Sequence, residues 1–469
     1  MGRPTRGELE AENARLGDEV TGLSDELAGV RGELADRDER LAKLEKLVEE
    51  LRRRGKRQSA PFSKGDPALA PARSGRKAGD AHGRHGHRPV PPNVDRDLDA
   101  PLPECCPGCG GDVEFERWAE QFQTELPDPA PVVTRFRIGV GRCRSCRRRV
   151  QGRHPEQTSD ALGAAAAHLG PKARGLGHWL HYVLGLSFAK TARLLAHLGV
   201  PVTAGALPSG AQSTGLALVP TTMAIEKAVD ASPAVVMDET GWRVGGWGAW
   251  LWVATTPRHT VYKVRHGRGF EQACDLVGED YAGTIIRDGY APYRRYSKAT
   301  HQTCAAHLLR RCKEMIEADT PGGQAMPRQV KTALKDALAA RDLPDDERAE
   351  QATSIAARFD VLIAGPHHCD PDRRLAKHLG NERDALLTFL TDPTIDATNW
   401  RAEQAIRPAV VNRKVWGGNR TDPGADTQGR MMTFFQTAAQ QGANAIDLLV
   451  ELARAPDRHT LTGLTLPGP

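Results

Sequence analysis

Ala234-Val235-Val236-Met237-Asp238, echoed fifty residues later by Thr284-Ile285-Ile286-Arg287-Asp288, is the stretch on which the fold turns. Each run is short, apolar and bounded by polar residues, the pattern of a buried strand. Each ends in a carboxylate. Between them, Gly245 and Gly246 mark a turn, 249–255 predicts a second strand bearing Trp250 and Trp252, 259–264 a third, and 270–277 a helical stretch. The order is strand, strand, strand, helix, strand. Glu239 follows Asp238 directly, but successive strand side chains leave opposite faces, so only one of the two can join a common site.

That order suits an α/β ribonuclease-H-like sheet, in which the first and fourth strands are neighbours and Asp238 would meet Asp288. Two carboxylates offer oxygen ligands and negative charge to a hard divalent cation. In-line displacement at a phosphodiester is well served by two such ions ~3.5–4 Å apart, which calls for a third carboxylate. The best candidate is Glu403 in Thr398-Asn399-Trp400-Arg401-Ala402-Glu403-Gln404-Ala405-Ile406-Arg407-Pro408. Thr398 or Asp396 is expected to cap this helix and Pro408 to close it. Asn399, Glu403 and Arg407, four apart, are expected on one face. Arg413 and Lys414 follow, suited to phosphates. Spacing alone leaves plainer readings open: an Asp in a strand-end turn, and Glu403 and Arg407 as an intrahelical ion pair.

The 114 residues between Asp288 and Glu403 are more than a bare sheet core needs and predict a helical insertion at about 305–392. His301, Cys304 and His307, in the same interval, are read first as residues of a packed helix. Upstream, 156–230 reads as helices forming a DNA-binding region. Ser187 is expected to cap a helix through Leu198, ended by Gly199 and Pro201. Thr203 would cap another, with Pro208 standing where a recognition helix should continue; a plain helical hairpin is the simpler reading.

Towards the N-terminus the chemistry changes. Cys106-Pro107-Gly108-Cys109 and Cys143-Arg144-Ser145-Cys146 are two tight-turn thiol pairs, with Phe136, Ile138 and Val140 alternating as a strand into the second. Four thiolates suit a closed, structural Zn2+ site, and a domain at 104–155 with so little core needs the metal to fold. Cys105 is an alternative to Cys106. Arg147, Arg148 and Arg149 make the second knuckle basic, which points to a polyanionic partner. Residues 55–103 are rich in Pro, Gly, Ser, Arg and His and read as a flexible basic linker, with His82, His85 and His87 solvated. Residues 6–54 carry a heptad pattern. One seam is Leu9, Leu16, Leu23, Val30, Arg37, Leu44 and Leu51, the other Asn13, Val20, Leu27, Leu34, Leu41 and Val48, which predicts a parallel coiled coil weakened by Gly17, Gly22, Gly29 and Gly32.

The whole chain, 469 residues with a net charge of +5, is long enough for several domains. No apolar run nears the ~18 residues of a membrane span, the N-terminus lacks the apolar core of a signal peptide, and a cytoplasmic protein is expected. Nine cysteines, five of them between Cys105 and Cys146, argue for metal rather than a disulfide framework.

Taken together, the heptad N-terminus, Cys-Cys-Pro-Gly-Cys-Gly at 105–110, the second knuckle at 143–146, Met237-Asp238-Glu239-Thr240, Arg287-Asp288-Gly289-Tyr290 and the block 399–414 resemble transposases of the insertion-sequence-66 family over nearly the full length. The resemblance implies a DDE-type enzyme whose triad, Asp238, Asp288 and Glu403, binds catalytic Mg2+ or Mn2+. It implies cleavage at transposon ends and strand transfer, with double-stranded DNA as partner, a homodimer or higher oligomer, and the need for accessory proteins left open. The family also often carries His at the position of His307. This sequence departs from the family pattern at Asn399-Trp400, at Glu403-Gln404 and over 415–418. The rival expectations are a zinc-dependent DNA-binding regulator with an inactive catalytic fold and a structure-selective nuclease. The expected architecture is thus multidomain: a coiled coil, linker, zinc ribbon and helical domain ahead of a catalytic domain at 231–420, with a C-terminal tail at 421–469.

Overall fold

The structure is a computed structural model and describes residues 6–56, 90–126, 128–163, 167–318, 323–367, 369–455, 461 and 463–466. By backbone contacts the chain divides into two units, Met1–Gln123 and Thr124–Pro469. The expected histidines of the linker, His82, His85 and His87, lie outside the described residues.

In the first unit, α1 (Arg6–Lys56) is one continuous helix through the heptad segment. Its seam side chains Leu16, Val20, Leu23, Leu27, Val30, Leu34, Leu41 and Leu44 are all exposed. The side chains of Leu9, Asn13, Val48 and Leu51 lie outside the described residues. The rest of the unit contains the first thiol pair.

In the second unit, β1 (Val140–Arg142) and β2 (Arg149–Gln151) form a small antiparallel hairpin around the second thiol pair. The strand expected from Phe136 begins only at Val140. Four helices follow: α2 (Pro171–Tyr182), α3 (Phe188–His197), α4 (Ala206–Ala217) and α5 (Val219–Asp230). The Ser187 hydroxyl caps α3, accepting the Lys190 N–H, and Gly199 leaves it with φ 76°. Thr203 accepts the Ala206 N–H at 3.3 Å ahead of α4. Pro208 therefore falls in the first turn of α4, where no intrahelical N–H is required, and does not interrupt it.

The main sheet has five strands: β3 (Ala234–Val244), β4 (Trp247–Thr255), β5 (Thr260–Arg265), β6 (Thr284–Arg287) and β7 (Thr300–Thr303), in the order β5-β4-β3-β6-β7. The first three form an antiparallel meander, and β6 and β7 run parallel to β3. The first strand is longer than its apolar run: β3 passes through Asp238 to Val244 because β4 pairs with it from Val236 to Val244, down to a two-residue turn at Gly245 and Gly246 (φ 59° and 87°). Positive φ at both central residues is the geometry whose twist matches a hairpin. A short helix, α6 (Phe270–Cys274), crosses to β6.

Alternation along β3 builds two cores. Val235 and Met237 face one side, with Ile225 and Val229 of α5, Phe270 of α6, and Tyr293 and Tyr296. Val236, Trp242 and Val244 face the other, under the inserted helices α7 (Ala305–Glu317), α8 (Ala325–Ala340), α9 (Asp345–Ala364), α10 (Asp370–Asn381) and α11 (Thr388–Thr391), and under α12 (Trp400–Trp416). Within the expected insertion, α8 and α9 are separate helices, parted around Pro344.

The block carrying Glu403 differs from expectation at both ends. Asn399, not Thr398 or Asp396, precedes α12, with no side-chain cap, and Pro408 lies inside the helix, which runs on to Gly417 at φ 88°. Proline removes one helical N–H and its ring crowds the Gln404 carbonyl, a cost offset by burial of Ala402, Ala405, Ile406 and Ala409 against the sheet. Asn399 is fully buried at the start of the helix, whereas Arg407, two turns on, is exposed.

The segment expected as a C-terminal tail is structural. Within it, α13 (Asp422–Gln440) covers the outer edge of β5, and α14 (Ala445–Arg454) packs on α2. The hydroxyls of Thr433 and Thr437, one turn apart, accept the N–H groups of Tyr262 at 2.9 Å and Thr260 at 3.2 Å. An edge strand's free donors are thereby satisfied by a helix. A Cβ at Gly429 would stand 2.7 Å from the Tyr262 carbonyl, so only glycine allows this approach. Among the described residues no helix is long and apolar enough to cross a membrane.

Candidate active site

The parallel ladder between β3 and β6 sets Ala234 opposite Thr284, Val235 opposite Ile285 and Val236 opposite Ile286. Carrying that register on by two residues brings Asp238 opposite Asp288, just where β6 ends and leaves one edge of β3 open. Asp238 Oδ1 accepts the Glu239 N–H at 2.9 Å, and Asp288 Oδ1 accepts the Tyr290 N–H at 2.9 Å in an Asx-type turn. Both carboxylates are thus oriented by backbone. Burial, reinforced by the negative charges of Glu239, Asp288 and Glu403, pushes the Asp238 carboxyl up to about 7.

Glu403 sits in the first turn of α12, over the face of the sheet that holds Asp238. Its carboxylate is half-exposed and lies 3.6 Å from His307 Nε2 on α7. The other ring nitrogen of His307 is buried without a hydrogen-bond partner. His301 instead faces the Tyr296 carbonyl, and the Cys304 thiol receives the Asn399 N–H, so these three residues do not converge.

Neighbouring carboxylates are engaged elsewhere. Glu239 points to the opposite face, its side chain buried, and accepts from Arg268 at 2.6 and 2.9 Å and from the Tyr293 hydroxyl. Arg268 is in turn stacked over Trp250 and Tyr290. Glu382 is buried against Arg287, Arg294 and Thr303. Those partners hold its carboxyl below the usual range despite burial. Asp396 pairs with Arg401 at 2.8 Å and Arg341 at 3.8 Å. Among the described residues Asp238 and Asp288 make no ion pair and Glu403 pairs only with His307, and His307 is the addition that spacing alone did not assign. Arg268, Arg287 and Glu382 left no local signal, because each acts with a residue distant in sequence.

The donor set, three carboxylates, fits a hard divalent cation in kind. Among the described residues no three His, Cys, Asp or Glu side chains form a group already arranged to hold a metal ion. Arg407 and Lys414 are exposed and Arg413 half-buried along α12, with Arg413 and Lys414 on this helix rather than after it.

The thiol pairs are each preorganised. In the first unit the Cys106 carbonyl accepts the Gly110 N–H at 2.8 Å; in the second the Cys143 carbonyl accepts the Arg147 N–H at 3.0 Å. The residue after each second cysteine is left-handed, Gly110 at φ 73° and Arg147 at φ 60°. Backbone N–H groups of Gly108 and Cys109 lower the Cys106 thiol, and those of Cys146 and Ser145 lower Cys143. Arg147, Arg148 and Arg149 are exposed.

Against known proteins, the model of the Transposase IS66 family matches residues 171–427. An uncharacterized protein, y4qI, of Sinorhizobium fredii (strain NBRC 101917 / NGR234) is 25% identical over 230 residues, which are 43% of this chain and 42% of that relative. The chain therefore spans less than half the length of that curated relative. The matched region runs from the start of α2, through Asp238 and Asp288, into the first turns of α13. The chain belongs to the Transposase IS66 family.

Proposed function

We propose that this transposase cleaves DNA at transposon ends and joins the freed ends to target DNA, using Asp238, Asp288 and Glu403 on a ribonuclease-H-like sheet. The observation that carries the reading is the register of β3 and β6, which brings two aspartates together beneath the helix bearing Glu403. Those three residues would hold Mg2+ or Mn2+, which would activate the attacking oxygen and stabilise the leaving one. The chain's own contribution is positional. Backbone N–H groups orient Asp238 and Asp288, His307 stands beside Glu403, and Arg407, Arg413 and Lys414 offer phosphate contacts. Water attacks the phosphorus at the transposon end, the P–O3′ bond breaks, and a 3′-hydroxyl is released. That hydroxyl then attacks a target phosphodiester, so one P–O bond forms for each broken and no covalent enzyme intermediate is required.

The two thiol pairs are read as one structural Zn2+ site made of Cys106, Cys109, Cys143 and Cys146, with Arg147, Arg148 and Arg149 contacting phosphates. The exposed seam of α1 is read as the interface of a parallel homodimer, because an apolar stripe along a helix of this length needs a partner. Incubating the purified chain with labelled transposon-end duplex, target plasmid and Mg2+ tests the function. Joined product is expected; cleavage without joining would favour a structure-selective nuclease, and binding without either would favour a DNA-binding regulator.

A further inference from the structure

Alternation along β3 puts Val236 and Asp238 on one face, and that face is covered by α7, α10 and α12, whose Leu308, Leu375, Leu379 and Ala402 share its core. On α7, Arg311 is one turn beyond His307, so the two share a helix face about 5–6 Å apart. His307 in turn stands beside Glu403. On α10, His378 lies at the end of β6: a Cβ at Gly289, the residue after Asp288, would collide with its ring. Burial and the charge of Arg311 hold His378 below its usual pKa, which sets that guanidinium near the ring. Arg374, one turn before His378, is near Arg311 as well, since burial lowers Arg311 and the Arg374 charge lowers it further. Arg311 thus has His307 one turn away on its own helix and His378 close by on another, which ties it to both the Glu403 and the Asp288 sides of the site.

Arg311 is half-buried, and among the described residues its side chain makes no hydrogen bond and no ion pair. The other arginines around Asp288 have a counterion, for Arg287 and Arg294 share Glu382. On α10, Asp370 is taken by Arg373, and Arg374 reaches only the Asp370 carbonyl, at 3.4 Å. The His378 ring makes no hydrogen bond among the described residues. Drawing a guanidinium partly out of water without an acceptor is costly, because each N–H that loses water needs a partner. Two guanidiniums with no carboxylate of their own attract an anion, and their planar forks fit the oxygens of a phosphate. Beside carboxylates that act on DNA, the anion at hand is a backbone phosphate.

Resting on the transposase reading above, we propose that Arg311, flanked by Arg374 and His378, grips a DNA backbone phosphate neighbouring the one that is cut, so that the helical insertion positions the strand at Asp238, Asp288 and Glu403. Arg311 is then a positioning residue that touches no reacting atom. The test uses the full chain and labelled transposon-end duplexes, each carrying one methylphosphonate, which removes the charge of a single phosphate. Binding is measured in Ca2+ in place of Mg2+, so that affinity is read apart from cleavage. For wild type, neutralising one phosphate that flanks the cut should weaken binding about tenfold, the worth of one charge-assisted contact. Arg311→Gln should weaken binding of the unmodified duplex by the same factor, reduce its salt slope by about one, and lose sensitivity to that one modification while keeping it at the others. Arg311→Lys, a point charge without the fork, should recover part of the loss. Arg374→Gln, at an exposed residue, should lower sensitivity to the same phosphate and replaces Arg311→Gln if that variant does not fold. Sensitivity equal to wild type at every modified position, in whichever of the two variants folds, overturns the proposal and leaves the transposase reading intact. Wild type that binds no transposon-end duplex removes both readings.

Discussion

The Glu382 carboxylate, brought from the helical insertion, is buried against the Arg287 guanidinium, the residue immediately before Asp288. Arg287 Nη1 also donates to the Asp288 carbonyl at 2.9 Å and to the Thr303 hydroxyl at 3.1 Å, and Arg294 bonds the second Glu382 oxygen at 2.7 Å. The insertion is thereby fastened to the backbone that presents Asp288. Removing one partner of a buried pair leaves the other charge uncompensated, at a cost of about 3–5 kcal/mol. Glu382→Gln should therefore lower stability by about 3 kcal/mol in urea unfolding. An unchanged midpoint would show that the ion pair is not structural.

Two buried histidines give stability a defined pH dependence. Burial lowers His178 to about 3 and His181 to about 4, from 6.5 when unfolded. Folded pKa values below the unfolded one mean that the unfolded chain binds more protons between pH 6.5 and about 4. The contribution is full above pH 6.5 and is lost as pH falls through that window, by about 1.4 kcal/mol per pH unit for each histidine at its steepest. Thermal melting between pH 7.5 and 4.5 should show this fall, and His178→Gln should flatten it. A slope unaffected by that substitution would contradict the assignment.

Arg147 occupies a left-handed position that Gly110 fills in the first knuckle. A β-branched residue there is strained by about 1–2 kcal/mol. Arg147→Val should weaken zinc affinity of the full chain about tenfold in chelator competition, and Arg147→Gly should not weaken it. The wild-type chain should carry about one zinc ion, and a folded, zinc-free chain with undiminished DNA binding would remove the site.

How much of this was legible in the sequence depends on where the stabilising partner lies. Asp238 and Asp288 were legible because each ends an apolar run that only a buried strand explains. The full length of β3 was not, since residues from Glu239 to Val244 are held by β4 and not by their own pattern. Pro408, expected to close its helix, and the segment 421–469, expected as a tail, differ from expectation for the same reason. A proline inside α12 and hydroxyls inside α13 are tolerable only because the sheet supplies apolar cover in one case and unpaired N–H donors in the other.

On α1, the exposed Leu16, Leu23, Leu27, Leu34 and Leu41 should become buried in a dimer. Sedimentation of the full chain should show a concentration-dependent dimer, and Leu27→Asp should weaken self-association at least tenfold. A wild-type monomer at all concentrations would exclude pairing through this seam.

The central claim is that Asp238, Asp288 and Glu403 act as one site. The direct measurement is cleavage of labelled transposon-end DNA in Mg2+ by Asp238→Asn, Asp288→Asn and Glu403→Gln, each checked for an unchanged melting temperature and DNA affinity. Each amide keeps the shape and removes one ligand charge, so each variant should lose cleavage and joining by a factor of about a thousand or more, several kcal/mol of barrier. Glu239→Gln, on the opposite face, should lose stability more than activity. Wild-type cleavage by Glu403→Gln would show that the third acidic residue lies elsewhere, and wild-type cleavage by all three variants would contradict the account.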